Sequence, residues 1–537
     1  MASLNKRQGL LGKRLAAHLL RRTTYNITKA RIEAFANKTV EQAVNELFVI
    51  PAFVEPKGPI NHEDGTTYWL TDGPYTPPSN NTIAHRSVLF WFYNELMNDT
   101  SIRHKMSIFY SGIFVSAQDT DWRLFNAYRT YQEFATGNLK RFAVRMTLDH
   151  RMLRYLNNNV NNKWNPNENY AREFLELFTI LKGEQLGDGD YSNYTEHDIQ
   201  EAAKVLTGFR NGGITDIEPS TGLTIGYANY NHHHVGNKQF SHHFNHKVII
   251  GAEDEASMYR ELDEFVDMIF DKVETARAYV RRLYLFFVND KITTEIENDI
   301  IEPLALQLWT DGYELENTLK KLLKSVHFFD EDDNDNSDEI IGGKIKSPLE
   351  LYFSSITLFD GDKMGGLNAT PSNFSDYTGR LLINTLSIMG YPDYATSVEG
   401  YAGYFKSPSF SKSWIDTSTL PMRYKMATAL LGGHTVYSIY QSMPFEVDIV
   451  KYIKDNFSNQ EYAGLLLDAL LEIALPEAQL SGVRRNYFKS KLTGGVSDFN
   501  WMFEWQNYIA TDDDSSVRVV LEDLFEALVG SPEYQTF

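Results

Sequence analysis

Apolar residues recur every three to four positions along most of this chain, and that period constrains its fold more than any other feature. It runs through Ala84 to Met97, Asn138 to Leu156, Pro166 to Leu181, Glu196 to Thr207, Met258 to Phe270, Glu274 to Val288, Thr293 to Trp309, Leu315 to Ser325 and Tyr462 to Leu475. A stripe with this spacing is gathered onto one face by a helix, whereas a strand would scatter it over both. Strand patterns are few and short, the best being "HKVIIG" at 246–251. The expected fold is mainly α, a single large multi-helix body with long irregular loops and at most a few short strands. No internal repeat and no Gly/Ser linker marks a boundary, so one domain is expected over residues 1–537. The longest loops are expected at 55–81, 210–245, 329–346 and 360–377, and loops of that length are more often functional or mutually packed than idle.

Charge and composition remove several function classes. Lys plus Arg number 51 against 71 Asp plus Glu, a net charge of −20, which repels phosphate backbones and makes nucleic acid a poor partner. Cysteine is absent, so disulfides, thiolate metal sites and cysteine nucleophiles are excluded. No window has the 18 or so apolar residues of a spanning helix, which leads us to expect a soluble chain without a membrane span. The N-terminus carries Lys6, Arg7, Lys13, Arg14, Arg21 and Arg22, leaving no apolar stretch for a cleavable signal. On that ground the expected compartment is the cytoplasm, and this segment reads as an amphipathic basic helix docked on an acidic body.

One helix stands apart. In "WNPNENYAREFLELFT" (164–179), Asn165 can cap the helix, Pro166 suits its first turn, and Glu168 can complete a capping box. At about 100° per residue, Asn169, Arg172, Glu173 and Glu176 then form one polar stripe opposite Tyr170, Phe174, Leu177, Phe178 and Leu181. Read as a surface stripe, Arg172 and Glu176 make an ordinary ion pair at i, i+4. Read as a cleft lining, Arg172 holds one carboxylate ionised and leaves the other for a proton or a cation. Downstream, "NHHHVGNKQFSHHFNH" places six histidines between 232 and 246, enough imidazole to hold a metal or to build a hydrogen-bonded loop. The acidic loop Asp330 to Glu339 fails the calcium-loop pattern, with Ser337 or Asp335 where glycine is required. Motifs for serine hydrolases, phosphate loops and dinucleotide folds do not occur. Paired carboxylates of the glycosidase kind stay open.

The run "NENYAREFLELFT", with "YTEHDIQEAAKVLTGF" (194–209), resembles the signature of the bacterial family called domain of unknown function 1800, DUF1800. Further likenesses follow in order: "AAHLLRRTTYN" (16–26), "HHVGNKQFS" (233–241), "YVRRLYLFFV" (279–288), "KSPLEL" (346–351), "MGYP" (389–392), "SKSWIDTSTLPMR" (411–423) and "SPEYQ" (531–535). The resemblance implies a large helical protein, often exported or placed in the cell envelope, commonly encoded beside a sulfatase-like partner, with no reaction assigned. It maps a polar signature onto Glu168, Asn169, Arg172, Glu173, Glu176, Asp198, His233 and Lys238. Many members carry Trp-His-x-His-Phe where this chain has "YSGIF" (110–114), so Ser111 and Ile113 stand at histidine positions, and Phe178 stands at a third.

Two readings remain. In the first, the protein is an enzyme or a degenerate enzyme, with Glu173, Glu176, Arg172 and Asn169 as the catalytic group and Lys238, His233 and Asp198 binding substrate. A divalent metal would then sit on Glu173, Glu176, His233 and His234, while the cofactor itself stays unknown. In the second, the same residues lock a non-catalytic envelope scaffold or assembly protein that contacts carbohydrate or protein.

Overall fold

The computed structural model describes residues 2–54, 56, 81–116, 122–213, 217–218, 221–332, 340–361, 376–392, 401–476 and 480–537. Helices dominate, as the period requires. Leu315–Lys324 shows why: Leu315, Leu319, Leu322 and Leu323 are buried, while the lysines between them point outward. Several helices open on reciprocal caps that satisfy their first N–H groups, among them Thr39 with Gln42, Thr195 with Asp198, Asp254 with Ser257 and Ser347 with Glu350. The buried apolar residues form one contiguous cluster drawn from Ala2 to Tyr534.

Three expected helices differ from the structure for local reasons. Asn138 to Leu156 divides into Leu139–Thr147 and His150–Tyr155, because the Asp149 carboxylate accepts from the N–H groups of Arg151 and Met152 and starts a new helix. Thr293 to Trp309 passes through a π turn at Glu297–Ile301, just before Pro303, whose missing N–H breaks the regular ladder. Pro166 to Leu181 becomes an α segment, Glu168–Glu173, followed by a π turn, Phe174–Phe178.

Strands pair only as antiparallel two-stranded ribbons among the described residues. The expected strand at 246–251 appears as Val248–Ile249, paired with Lys238–Gln239 in the register Lys238 to Ile249. Because side chains alternate along a strand, this pairing sends Lys238 and Ile249 inward together and leaves Gln239 and Val248 exposed. Of the acidic loop, residues 333–339 lie outside the described residues. Asp332, which precedes them, accepts from His327 and from the Ser3 N–H. Among the described residues, no helix is long and apolar enough to cross a membrane.

The N-terminal helix, Gly12–Thr23, corrects an expectation in part. The helix docks by one face with Lys13 outside beside Glu472, but two of its basic residues turn inward, Arg21 and Arg22 being each only 2% exposed. Their guanidinium groups donate to the carbonyls of Ile473 and Ile340 inside the core.

The candidate functional site

The signature helix begins two residues later than its sequence suggests. Asn167, not Asn165, is its cap and accepts from the Asn169 N–H at 2.9 Å. Asn161 holds this cap in turn, accepting from the Asn167 N–H at 2.8 Å and donating to Ala203 at 3.0 Å. Glu168 therefore sits in the first turn, where the helix dipole favours a carboxylate, and it takes Arg172 at 3.2 Å.

The π turn then changes what the strip can do. Bonds of i to i+5 insert an extra residue, so side chains beyond Phe174 rotate away from their α positions. Arg172 does not pair with Glu176. It grips Glu196 through two bonds of 2.8 and 2.7 Å, and this partner lowers the Glu196 carboxyl and raises the Arg172 guanidinium. Glu176 receives Lys182 at 3.2 Å and the Tyr194 hydroxyl at 3.3 Å. Glu173 is half-buried, and its charge adds to the burial that raises the Tyr155 phenol. Asn169 is exposed. The carbonyls left over at the π turn are met by "YVRRLYLFFV": Arg282 donates to Leu177, and Tyr279 donates to Phe178 at 3.0 Å.

Asp198 is fully buried and joins two segments. Its carboxylate accepts from the Thr195 N–H and hydroxyl at 2.8 and 2.9 Å, and from the Ser241 N–H and hydroxyl, both at 2.7 Å. The helix Glu196–Val205 thus lies between the strip, held through Glu196, and the histidine loop, held through Asp198. His197 adds a bond to the Gln239 carbonyl at 2.9 Å.

Beyond that helix, His233, Lys238 and Glu261 close a second network with no exposed surface. His233 Nδ1 lies 2.7 Å from the Thr207 carbonyl, which makes it the donor, and Nε2 lies 3.2 Å from Glu261 Oε2. The Lys238 ammonium has three N–H groups and three neighbours: Glu261 Oε2 at 2.5 Å, the His234 carbonyl at 2.6 Å and His233 Nε2 at 3.4 Å. Burial lowers its pKa and Glu261 opposes that shift. Glu261 Oε1 has no hydrogen-bond partner among the described residues.

Glu261 escaped the sequence reading although a signal was present. It sits between Met258, Leu262 and Phe265 on the buried stripe of its helix, and a carboxylate there requires a partner. A second omission is larger. Arg21, Arg22, Lys105, Lys344, Lys346, Arg423 and Glu350 are buried together. Lys105 pairs with Glu350 at 2.7 Å, Lys346 donates to the Tyr534 carbonyl at 2.6 Å, and Arg423 donates to Gln535 at 2.9 Å and to the Lys346 carbonyl at 2.8 Å. Burial brings Lys344 down to about 8. The motifs "RRTTY", "KSPLEL", "LPMR" and "SPEYQ" converge here from opposite ends of the chain, which spacing along the sequence does not reveal.

At two of the three positions where the resemblance implies histidine the structure has core packing, and at the third Ser111 is half-buried at the edge of a small cleft. Ile113 and Phe178 are buried, Phe178 lies 5.2 Å from Phe114 between ring centroids, and the Ser111 hydroxyl donates to Ile108 at 2.9 Å. The proposed metal set, Glu173, Glu176, His233 and His234, does not gather as a ligand group; among the described residues the group that does is Asp190, His242 and His243. Surface clefts of about 700 and 590 Å³ are lined by other residues, the larger by Arg141, Arg145, Tyr259 and Asp263 among others.

Fold and signature together define a large, mainly helical protein that fastens a polar helix to a histidine-bearing loop across one intervening helix. The chain belongs to the family described as Protein of unknown function (DUF1800), which matches residues 18–536. No curated protein and no solved structure matches it.

Proposed function

We propose that this chain is a non-catalytic scaffold or interaction protein, a single domain in which the family signature is a structural lock. The observation that carries this reading is the spending of Asp198, His233, Lys238 and Arg172 on the chain itself. Asp198, His233 and Lys238 have no surface to offer a substrate, and every N–H of Lys238 is taken. Arg172 is divided between two carboxylates. A general base or an anion-binding lysine must come within hydrogen-bond reach of its substrate, and these groups would first have to leave their partners.

Contact with a partner would then use the outer surface. The helix Asp498–Thr511 buries Trp501, Trp505 and Tyr508 but exposes Phe499, Phe503 and Ile509, each more than half. Apolar side chains left out in this way suit a protein partner.

Thermal unfolding of Arg172→Met and Lys238→Met tests the lock without any assay of activity. Residues that serve structure lose stability when replaced, whereas residues strained for function often gain it. Both variants are expected to melt below the parent, Lys238→Met by more because its partner Glu261 is buried. An unchanged or raised melting temperature for both would remove the lock and favour an enzyme.

A further inference from the structure

We propose that Asp190, His242 and His243 form a binding site for a divalent first-row transition cation of the Zn²⁺ class. One ligand atom from each side chain lies within 4.8 Å of the other two. His243 Nε2 is 2.9 Å from Asp190 Oδ1, and the two imidazole rings have centroids 4.0 Å apart. Around a tetrahedral ion with bonds of about 2.1 Å, ligand atoms stand about 3.4 Å apart. One contact is therefore already near ligand spacing, and completing the set requires the exposed His242 ring to close in on the other two from within 4.8 Å. Two imidazoles and one carboxylate suit zinc, cobalt or nickel; magnesium and calcium prefer oxygen alone. Three protein ligands leave at least one coordination position for water or for a donor from a partner.

The frame around the three side chains is built from the signature. Asp198 holds Ser241 by two bonds, and the Ser241 hydroxyl in turn accepts from the His243 N–H at 3.2 Å, opening the short 3₁₀ helix His242–Phe244. Phe244 is buried and anchors that helix. On the other side Asp198 holds Thr195, which bridges to Asp190, and the Glu196 N–H donates to Gly189 at 2.8 Å. Both ligand-bearing segments are thus tied to one buried carboxylate. Asp198 is a positioning residue for this site, and the Arg172 to Glu196 pair steadies the same helix end.

The site is independent of whether the protein is a catalyst or a scaffold, because a bound cation is compatible with either. The test is titration of the full chain, stripped with a chelator, with Zn²⁺ by calorimetry and with Co²⁺ by visible absorption. One equivalent is expected, with Co²⁺ bands of low-coordinate geometry. Asp190→Asn, His242→Ala and His243→Ala should each weaken binding at least about tenfold, and Asp198→Asn by about 10- to 100-fold through loss of positioning. His242 is exposed, so His242→Ala keeps the fold. His232→Ala with His246→Ala should leave the affinity unchanged. Equal binding by the parent and by the Asp190, His242 and His243 variants would overturn the proposal, as would binding lost only with His232 and His246, the behaviour of a loose histidine-rich loop.

Discussion

The Asp198 carboxylate meets Ser241 twice, at the backbone N–H and at the hydroxyl, each at 2.7 Å. Asp198 is fully buried and Ser241 half-buried, and this pair fastens the histidine loop to the helix that Arg172 grips from the other side. A charged acceptor with four donors is among the stronger arrangements a protein interior offers.

Asp198→Asn therefore carries a clear expectation. The amide presents N–H groups where donors already point, so at least one buried group loses its partner at about 1–3 kcal/mol. Chemical denaturation should show a loss of about that size, and proteolysis should reach residues 233–246 first. Asp198→Ala should be worse than Asp198→Asn.

Gly208 is required by its backbone and by its neighbours. Its φ is +84°, and a Cβ there would lie 2.7 Å from the Asn229 carbonyl and 3.1 Å from the His233 Cβ. Gly208→Ala should cost about 2 kcal/mol or more from backbone strain alone and push His233 off Thr207. Lower melting, with altered chemical shifts for His233, would bear this out.

Stability should fall in acid partly through His18. This ring is buried, donates to the Phe328 carbonyl at 2.9 Å, and is held well below its ordinary 6.5, first by burial and then by Arg22. A base lowered in the folded state binds its proton more readily when unfolded. Its contribution is therefore complete above pH 6.5 and is lost as pH drops below that value. Denaturation at pH 7 and pH 5 should show a smaller acid loss for His18→Gln than for the parent, and equal losses would refute the assignment.

Much of the helical architecture was legible because the buried stripes of Met258–Phe270 and Leu315–Lys324 repeat at the helical period. Boundaries were not, where one side chain competes with the backbone: Asp149 restarts a helix, and Asn167 displaces Asn165 as a cap. The π turn at Phe174–Phe178 was hidden for a deeper reason. Its carbonyls depend on Arg282 and Tyr279, more than 100 residues away, so counting at 100° per residue placed Glu176 beside Arg172 when its neighbours are Lys182 and Tyr194. Residue types pointed to Lys238 and His233 as polar loop residues. Only tertiary pairing shows that Glu261 encloses them, and only convergence of distant motifs reveals the buried cluster around Glu350.

The most direct measurement of the structural lock is a double-mutant cycle on Lys238 and Glu261, read by chemical denaturation. Removing either partner alone leaves an uncompensated buried charge or its neutralised remnant, at about 3–5 kcal/mol. Replacing both by Met should recover most of that loss, giving a large favourable coupling. Single variants as stable as the parent, with no coupling between them, would contradict the account.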